Sequence, residues 1–125
     1  MITDNARKAI EILLGFEVAH IGINQNSDAE SISLAHVFNN AFNFPIKEGN
    51  SSNFVSDAIE ITKSSFLGKN GHIAVRTNNI TRAIVFLKRK GFEVDMSTVK
   101  EKDGRITAVY LKDEFGGFAV HLLQK

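Results

Sequence analysis

Four side chains in this chain of 125 residues could hold a metal ion: His20, Glu60, His72 and His121. Two of them sit in near-copies of one phrase, AHIGINQNS (Ala19–Ser27) and GHIAVRTNN (Gly71–Asn79), with the histidines 52 residues apart. The other two close a second matched pair, AIEIT (Ala58–Thr62) and AVHLL (Ala119–Leu123), in which Glu60 falls opposite His121. A catalytic divalent ion takes three or four fixed nitrogen or oxygen ligands and keeps positions open for water or substrate. Imidazoles with a carboxylate suit zinc, nickel, iron or manganese, and residue types alone do not choose among them. The plainer alternative is that a histidine among Ile and Gly on a strand is a satisfied core or pocket residue. The coincidence of four matched positions is what favours the metal. The remaining histidine, His36, falls outside the pattern and needs only a core or surface role.

Such ligands must be positioned by rigid elements, and the periodicities supply them twice. An N-terminal helix over residues 1–15 has Ala6, Ala9, Ile10, Leu13 and Leu14 as its stripe, Thr3 or Asp4 as its cap and Gly15 as its stop. Module one, residues 16–63, opens with a strand over Phe16–Asn24. Ser27-Asp28-Ala29-Glu30 is a capping box for a helix carrying Ile32, Ala35, Phe38 and Phe42. That helix ends ahead of Pro45. Short extended pieces follow around Ile46–Glu48, Asn53–Ser56 and Ala58–Lys63, punctuated by Gly49, Asn50, Ser51 and Asp57. Residues 64–70 are the hinge. Module two, residues 71–125, repeats the order: a strand over Gly71–Thr77, a helix capped by Asn78 or Asn79 with Ile80, Ala83, Ile84 and Leu87 inward, then strands over Phe92–Lys100, Arg105–Lys112 and Phe118–Gln124. Asp103-Gly104 favours a two-residue hairpin turn. One helix with a mostly antiparallel sheet, twice over, is an α+β fold of two pseudo-symmetric βαβββ modules forming an open cup. Alternation puts His20 with Gly22 and His72 with Ala74 on the cup face. Ile21, Ile23, Ile73, Val75, Ile59, Ile61, Val120 and Leu122 then face helices. Small Gly22 and Ala74 should leave room above the floor for a bound molecule.

Lys plus Arg is 15 and Asp plus Glu is 14, a balance that points away from nucleic acid. No apolar run reaches the ~20 residues of a membrane span. The N-terminus lacks a signal-peptide core and cleavage site. The absence of cysteine excludes disulfides, thiolate metal sites and a cysteine nucleophile, and suits a cytoplasmic location. Arg76 lies on the face of His72 and could clamp a substrate carboxylate or phosphate, or simply be solvated. Lys63 points away from Glu60. Gly68-Lys69-Asn70-Gly71 could offer amides to an anion, as a hinge would also explain. Phe54, Phe115 or Phe118 could line the cup.

At AHIGI, GHIAV, AIEI and the terminal GGFAVHLLQ, the sequence resembles the vicinal oxygen chelate superfamily, which includes the glyoxalase, fosfomycin-resistance, extradiol dioxygenase and methylmalonyl-CoA epimerase families. The resemblance covers Phe16–Lys125. Closer still, GFEVAHIGIN, KEGNSSNFV, FLGKNGHIAV and GGFAVHLLQK look like the glyoxalase-like domain appended to some bacterial 2-keto-3-deoxy-6-phosphogluconate aldolases. The resemblance implies a cup around a divalent ion held by His20, Glu60 and His72. His121 stands where such proteins usually carry Glu, which removes one negative charge and one candidate base. It further implies a lyase or isomerase acting on a small oxygenated metabolite, with Glu60 moving a proton. The other reading is a non-catalytic ligand-binding or assembly module accessory to an aldolase. Edge strands and the N-terminal helix suggest a homodimer, with a small-molecule substrate or ligand and no nucleic acid or membrane as partner.

Overall fold

The computed structural model describes residues 3–125. Three helices, α1 (Asp4–Leu14), α2 (Asp28–Phe42) and α3 (Ile80–Arg89), accompany eight strands. The strands are β1 (Glu17–Ile23), β2 (Ile46–Glu48), β3 (Ser52–Val55), β4 (Ile59–Thr62), β5 (Gly71–Thr77), β6 (Val94–Lys102), β7 (Arg105–Leu111) and β8 (Phe118–Gln124). They belong to an open eight-stranded sheet, and each half of the chain uses one order: β2-β3-β4-β1 in the first and β6-β7-β8-β5 in the second. In both halves the closing strand lies beside the opening one. The α+β class and the doubled βαβββ plan are therefore present. No helix among the described residues is long and apolar enough to cross a membrane.

The helix starts follow their caps. Thr3 Oγ1 accepts from the Ala6 amide, Ser27 Oγ from Glu30, and Asn79 Oδ1 from Arg82, each satisfying a first-turn donor that the helix leaves open. Glu30 reaches back to the Asn26 amide rather than to that of Ser27. At α2 the stop is Asn43, in the left-handed region at φ 59°. The Asp103-Gly104 turn has both residues at positive φ, as a primed hairpin turn requires.

Two compact units compose the chain. One holds residues up to Val18, Ala74–Glu114 and Val120–Lys125; the other holds Ala19–Ile73 and Phe115–Ala119. In the first, Leu14, Ile80, Ala83, Val109, Leu111, Val120 and Leu122 form a continuous core, with Ile10, Val75 and Phe86 packed against it. The Leu14 carbonyl accepts from the Thr77 hydroxyl and the Asn78 amide, which ties α1 to the end of β5. The α1 stripe is narrower than its sequence pattern: Leu14 is buried and Ile10 half-buried, but Ala6, Ala9 and Leu13 are exposed, Leu13 at 67%. At β6 the ladder to β7 slips after Asp95, and the Thr98 hydroxyl accepts from the Tyr110 amide.

The second unit has a smaller core of Ala35, Val55 and Ile61, with Ile32, Leu34, Phe38 and Ile46 against it. Beneath α2 lies a polar knot, in which Asn53 Nδ2 donates to Ser31 Oγ and Ser31 Oγ donates to the Ile61 carbonyl. Helix α2 packs on β2, β3 and β4. That placement leaves Ile21 of β1 43% exposed, against the expectation of a helix-covered side chain. Phe42 also stays exposed and stacks on Phe44 at 5.3 Å.

Candidate metal centre

The second unit builds the centre from strand register. β4 runs parallel to β1 with Glu60 beside Gly22, and antiparallel to β3 with Glu60 beside Phe54. β3 in turn sets Phe54 beside Lys47 of β2. Directly opposed residues share a face, so Gly22, Glu60, Phe54 and Lys47 form one row. His20, two residues before Gly22, lies on that face too.

His72 completes the group. Its imidazole occupies the space over Gly22, where a Cβ would overlap the ring. The room expected above Gly22 is thus filled by the protein's own histidine, not left for a bound molecule. His72 Nε2 is 2.9 Å from Glu60 Oε1, His20 Nε2 is 3.4 Å from the same oxygen, and the two ring nitrogens are 3.2 Å apart. Both imidazoles are largely removed from solvent. The Phe54 ring meets His20 edge-on at 5.5 Å and fixes its tilt.

The carboxylate is held at both oxygens. Ser52 Oγ donates to Glu60 Oε2 at 2.8 Å, on the side away from the imidazoles. Hydrogen bonds from His20, then His72, hold the Glu60 carboxyl far below the usual carboxylate range; Ser52 adds to this, and together they outweigh burial. Glu60 is therefore an anion facing two imidazoles.

This donor set fits a divalent ion. His20 and His72 can each offer a ring nitrogen to a common point. With metal–ligand bonds of about 2.1 Å, the three separations correspond to ligand–metal–ligand angles of roughly 85–110°. Two imidazoles and one carboxylate are the donor types of both the His₂Glu zinc set and the facial set of non-haem iron.

Beside Glu60 runs a groove of about 980 Å³. Pro45, Lys47 and Gly49 line it from β2 and its ends, Ser52, Phe54 and Ser56 from β3, and Ala58 and Glu60 from β4. Ala19, Ile46, Glu48, Asn50, Ser51 and Asp57 line it as well.

His121, Arg76, Lys63 and His36 were the other residues singled out by the sequence. His121 sits on β8 in the first unit, paired in register with Tyr110 and stacked on its ring at 4.6 Å. Arg76 is half-exposed, its Nε 3.6 Å from Glu17 Oε1. Lys63 lies 4.0 Å from Asp28. His36 is exposed on α2. Sequence reasoning missed Ser52, Gly22 as the seat of the His72 ring, Tyr110 and Lys47. A hairpin folded about Asp57 would have brought Ser52 and Phe54 to the Glu60 face. Nothing in the sequence signals where the His72 ring rests.

No protein-family model matches the chain, and no curated protein matches it in sequence. Among solved structures, hypothetical protein BH1468 from Bacillus halodurans C-125 superposes with a TM-score of 0.61 at 15% identity, over 88% of this chain and 94% of that one. Methylmalonyl-CoA epimerase from Mycobacterium tuberculosis gives 0.57 at 13% identity, over 90% and 89%. At these identities the likeness is one of fold: this chain shares the mixed α+β architecture of both structures.

Proposed function

We propose that the protein is a metal-dependent enzyme of glyoxalase type, a lyase or isomerase that moves a proton on a small oxygenated metabolite. The observation that carries this reading is the His20–Glu60–His72 triangle, with sides of 2.9, 3.2 and 3.4 Å, whose Glu60 corner lines the groove. When bound, a divalent ion supplies Lewis-acid stabilisation of charge that develops on substrate oxygens.

The chain's own residues do the rest. His20 and His72 would hold the ion, and Phe54 and Gly22 fix their rings. Glu60 Oε1 joins them, while Oε2, oriented by Ser52, takes and returns the proton. Charge stabilisation on the neighbouring oxygen would acidify the proton that Glu60 removes. His121 is proposed as the fourth ligand on the correspondence of AVHLL with AIEIT. An imidazole there in place of a carboxylate would leave one negative charge fewer around the ion than a Glu at that position.

The test is metal analysis of the purified protein, then titration with zinc, nickel, iron(II) and manganese, and a hemithioacetal isomerisation assay. Stoichiometric binding that falls at least tenfold in Glu60→Gln is expected, with turnover lost. A protein that binds none of these ions above background refutes the metal reading. A non-catalytic accessory or assembly module, as a homodimer or against an aldolase, then gains from the exposure of Ile12 and Leu13 on α1, at 77% and 67%.

A further inference from the structure

From the row Glu60–Phe54–Lys47 we infer that Lys47 is the group that selects substrate, by gripping a second anionic group on a molecule whose vicinal oxygens face Glu60. This inference rests on the proposed metal-centred reaction and adds to it a substrate class: small metabolites with a carboxylate or phosphate a few bonds beyond the chelating oxygens.

The register fixes the geometry. Lys47 lies directly across Phe54 from Glu60, two strands away. Neighbouring strands are ~4.8 Å apart, so the two Cα atoms are separated by roughly 10 Å along the sheet. A lysine stem spans ~6 Å, so the ammonium can meet an anion about 4–7 Å from the oxygens at the metal centre. The Phe54 ring between them gives the intervening carbons an apolar floor. Lys47 is exposed to the groove and takes part in no ion pair among the described residues. Of the acidic residues along the groove, Glu48 follows Lys47 on β2, Asp57 lies in the turn between β3 and β4, and Glu60 faces the imidazoles. Lys47 is the one cation among the lining residues. Arg76, the clamp suggested by sequence, faces Glu17 instead.

The loop beyond β2 adds donors. Gly49 admits a close turn in which a Cβ would crowd the Ser52 carbonyl at 2.8 Å, and Asn50 and Ser51 line the groove beside Lys47. An ammonium with nearby amide and hydroxyl groups suits a carboxylate or a phosphate equally.

The experiment is calorimetric titration of the zinc-loaded protein with four probes. 2-Oxoglutarate and 3-phosphoglycerate carry vicinal oxygens and a distal carboxylate or phosphate; 2-oxopentanoate and glycerate lack the distal charge. The wild type is expected to prefer the charged member of at least one pair by about 10- to 100-fold, and the pair that shows it distinguishes carboxylate from phosphate. Lys47→Met should abolish that preference while leaving zinc affinity and the uncharged probes unchanged, and Lys47→Arg should restore most of it. Preference retained in Lys47→Met, or absent from the wild type, overturns the inference. Failure of zinc to bind overturns the metal reading instead. The same probes are then followed by amide NMR on metal-free protein, where shifts at Lys47, Ser51 and Ser52 that vanish in Lys47→Met uphold the lysine's role, and their absence or persistence overturns it.

Discussion

The three closing strands are 3, 4 and 4 residues long in the first half of the chain and 9, 7 and 7 in the second. Long strands bury Val109, Leu111, Val120 and Leu122 in a core shared with Leu14 and Ile80. Short ones enclose only Ala35, Val55 and Ile61 and bring a polar Ser31–Asn53 knot inside. They also leave a turn over residues 49–51 beside a groove, and the only carboxylate of the matched quartet opens onto it. Duplication thus yields two copies of one plan that divide the work. One copy carries much of the apolar burial, and the other carries polar groups whose orientation matters more than their packing.

The sharpest way to break this division is Gly22→Ala. The added methyl would overlap the His72 imidazole, so zinc affinity should fall by more than about 100-fold, beyond what a lost supporting contact costs. Unchanged binding by calorimetry would mean that His72 is not seated over β1. Next, Ile80→Ala in the larger core should cost about 2–5 kcal/mol in urea unfolding while leaving zinc affinity within about twofold. A large loss of zinc binding there would erase the contrast between the halves.

Ser52→Ala removes the donor to Glu60 Oε2. Zinc affinity should drop about 10- to 100-fold without a large change in melting temperature. The same carboxylate sets a pH dependence in metal-free protein. Its folded pKa lies below the ordinary 4.5, so the native state binds fewer protons than the unfolded one. Its stabilising contribution is full above about that value and is lost as pH falls below it. The stability gap between wild type and Glu60→Gln should therefore narrow through acid pH, and a constant gap from pH 6 to 3 would contradict the hydrogen bonding described. Smallest is Asn79→Ala, which removes the α3 cap and should cost about 1 kcal/mol with no effect on zinc.

Much of this was legible because local physics wrote it. The strands Gly71–Thr77 and Phe118–Gln124, the Thr3, Ser27 and Asn79 caps and the Asp103-Gly104 turn follow from short-range rules, and each stands where its residues put it. His20, Glu60 and His72 were legible because duplication repeats their context. What escaped depends on long-range placement. β6 starts at Val94 rather than Phe92, since the Phe92 amide still bonds to Leu87 at the end of α3. The exposure of Ile21 follows from where α2 settles, and the ring over Gly22 from a close approach of side chain to backbone that no periodicity encodes. Lys47 reads as an ordinary surface lysine until the register sets it in line with Glu60.

The slipped ladder of β6 and the brevity of β2 also bear on how these molecules behave when crowded. Each of these strands has one sheet neighbour, so each presents a row of amides and carbonyls to passing chains. On β6 the row is out of phase after Asp95, where Ser97 turns its amide and hydroxyl inward to that carboxylate, and Lys100, Glu101 and Lys102 follow. On β2 the row is three residues long and follows a proline, which has no amide hydrogen to donate. Neither offers the long flat template that cross-β growth needs. A concentrated solution of this protein should accordingly resist seeding into fibrils by strand addition, and the sheet ends where its sequence stops it.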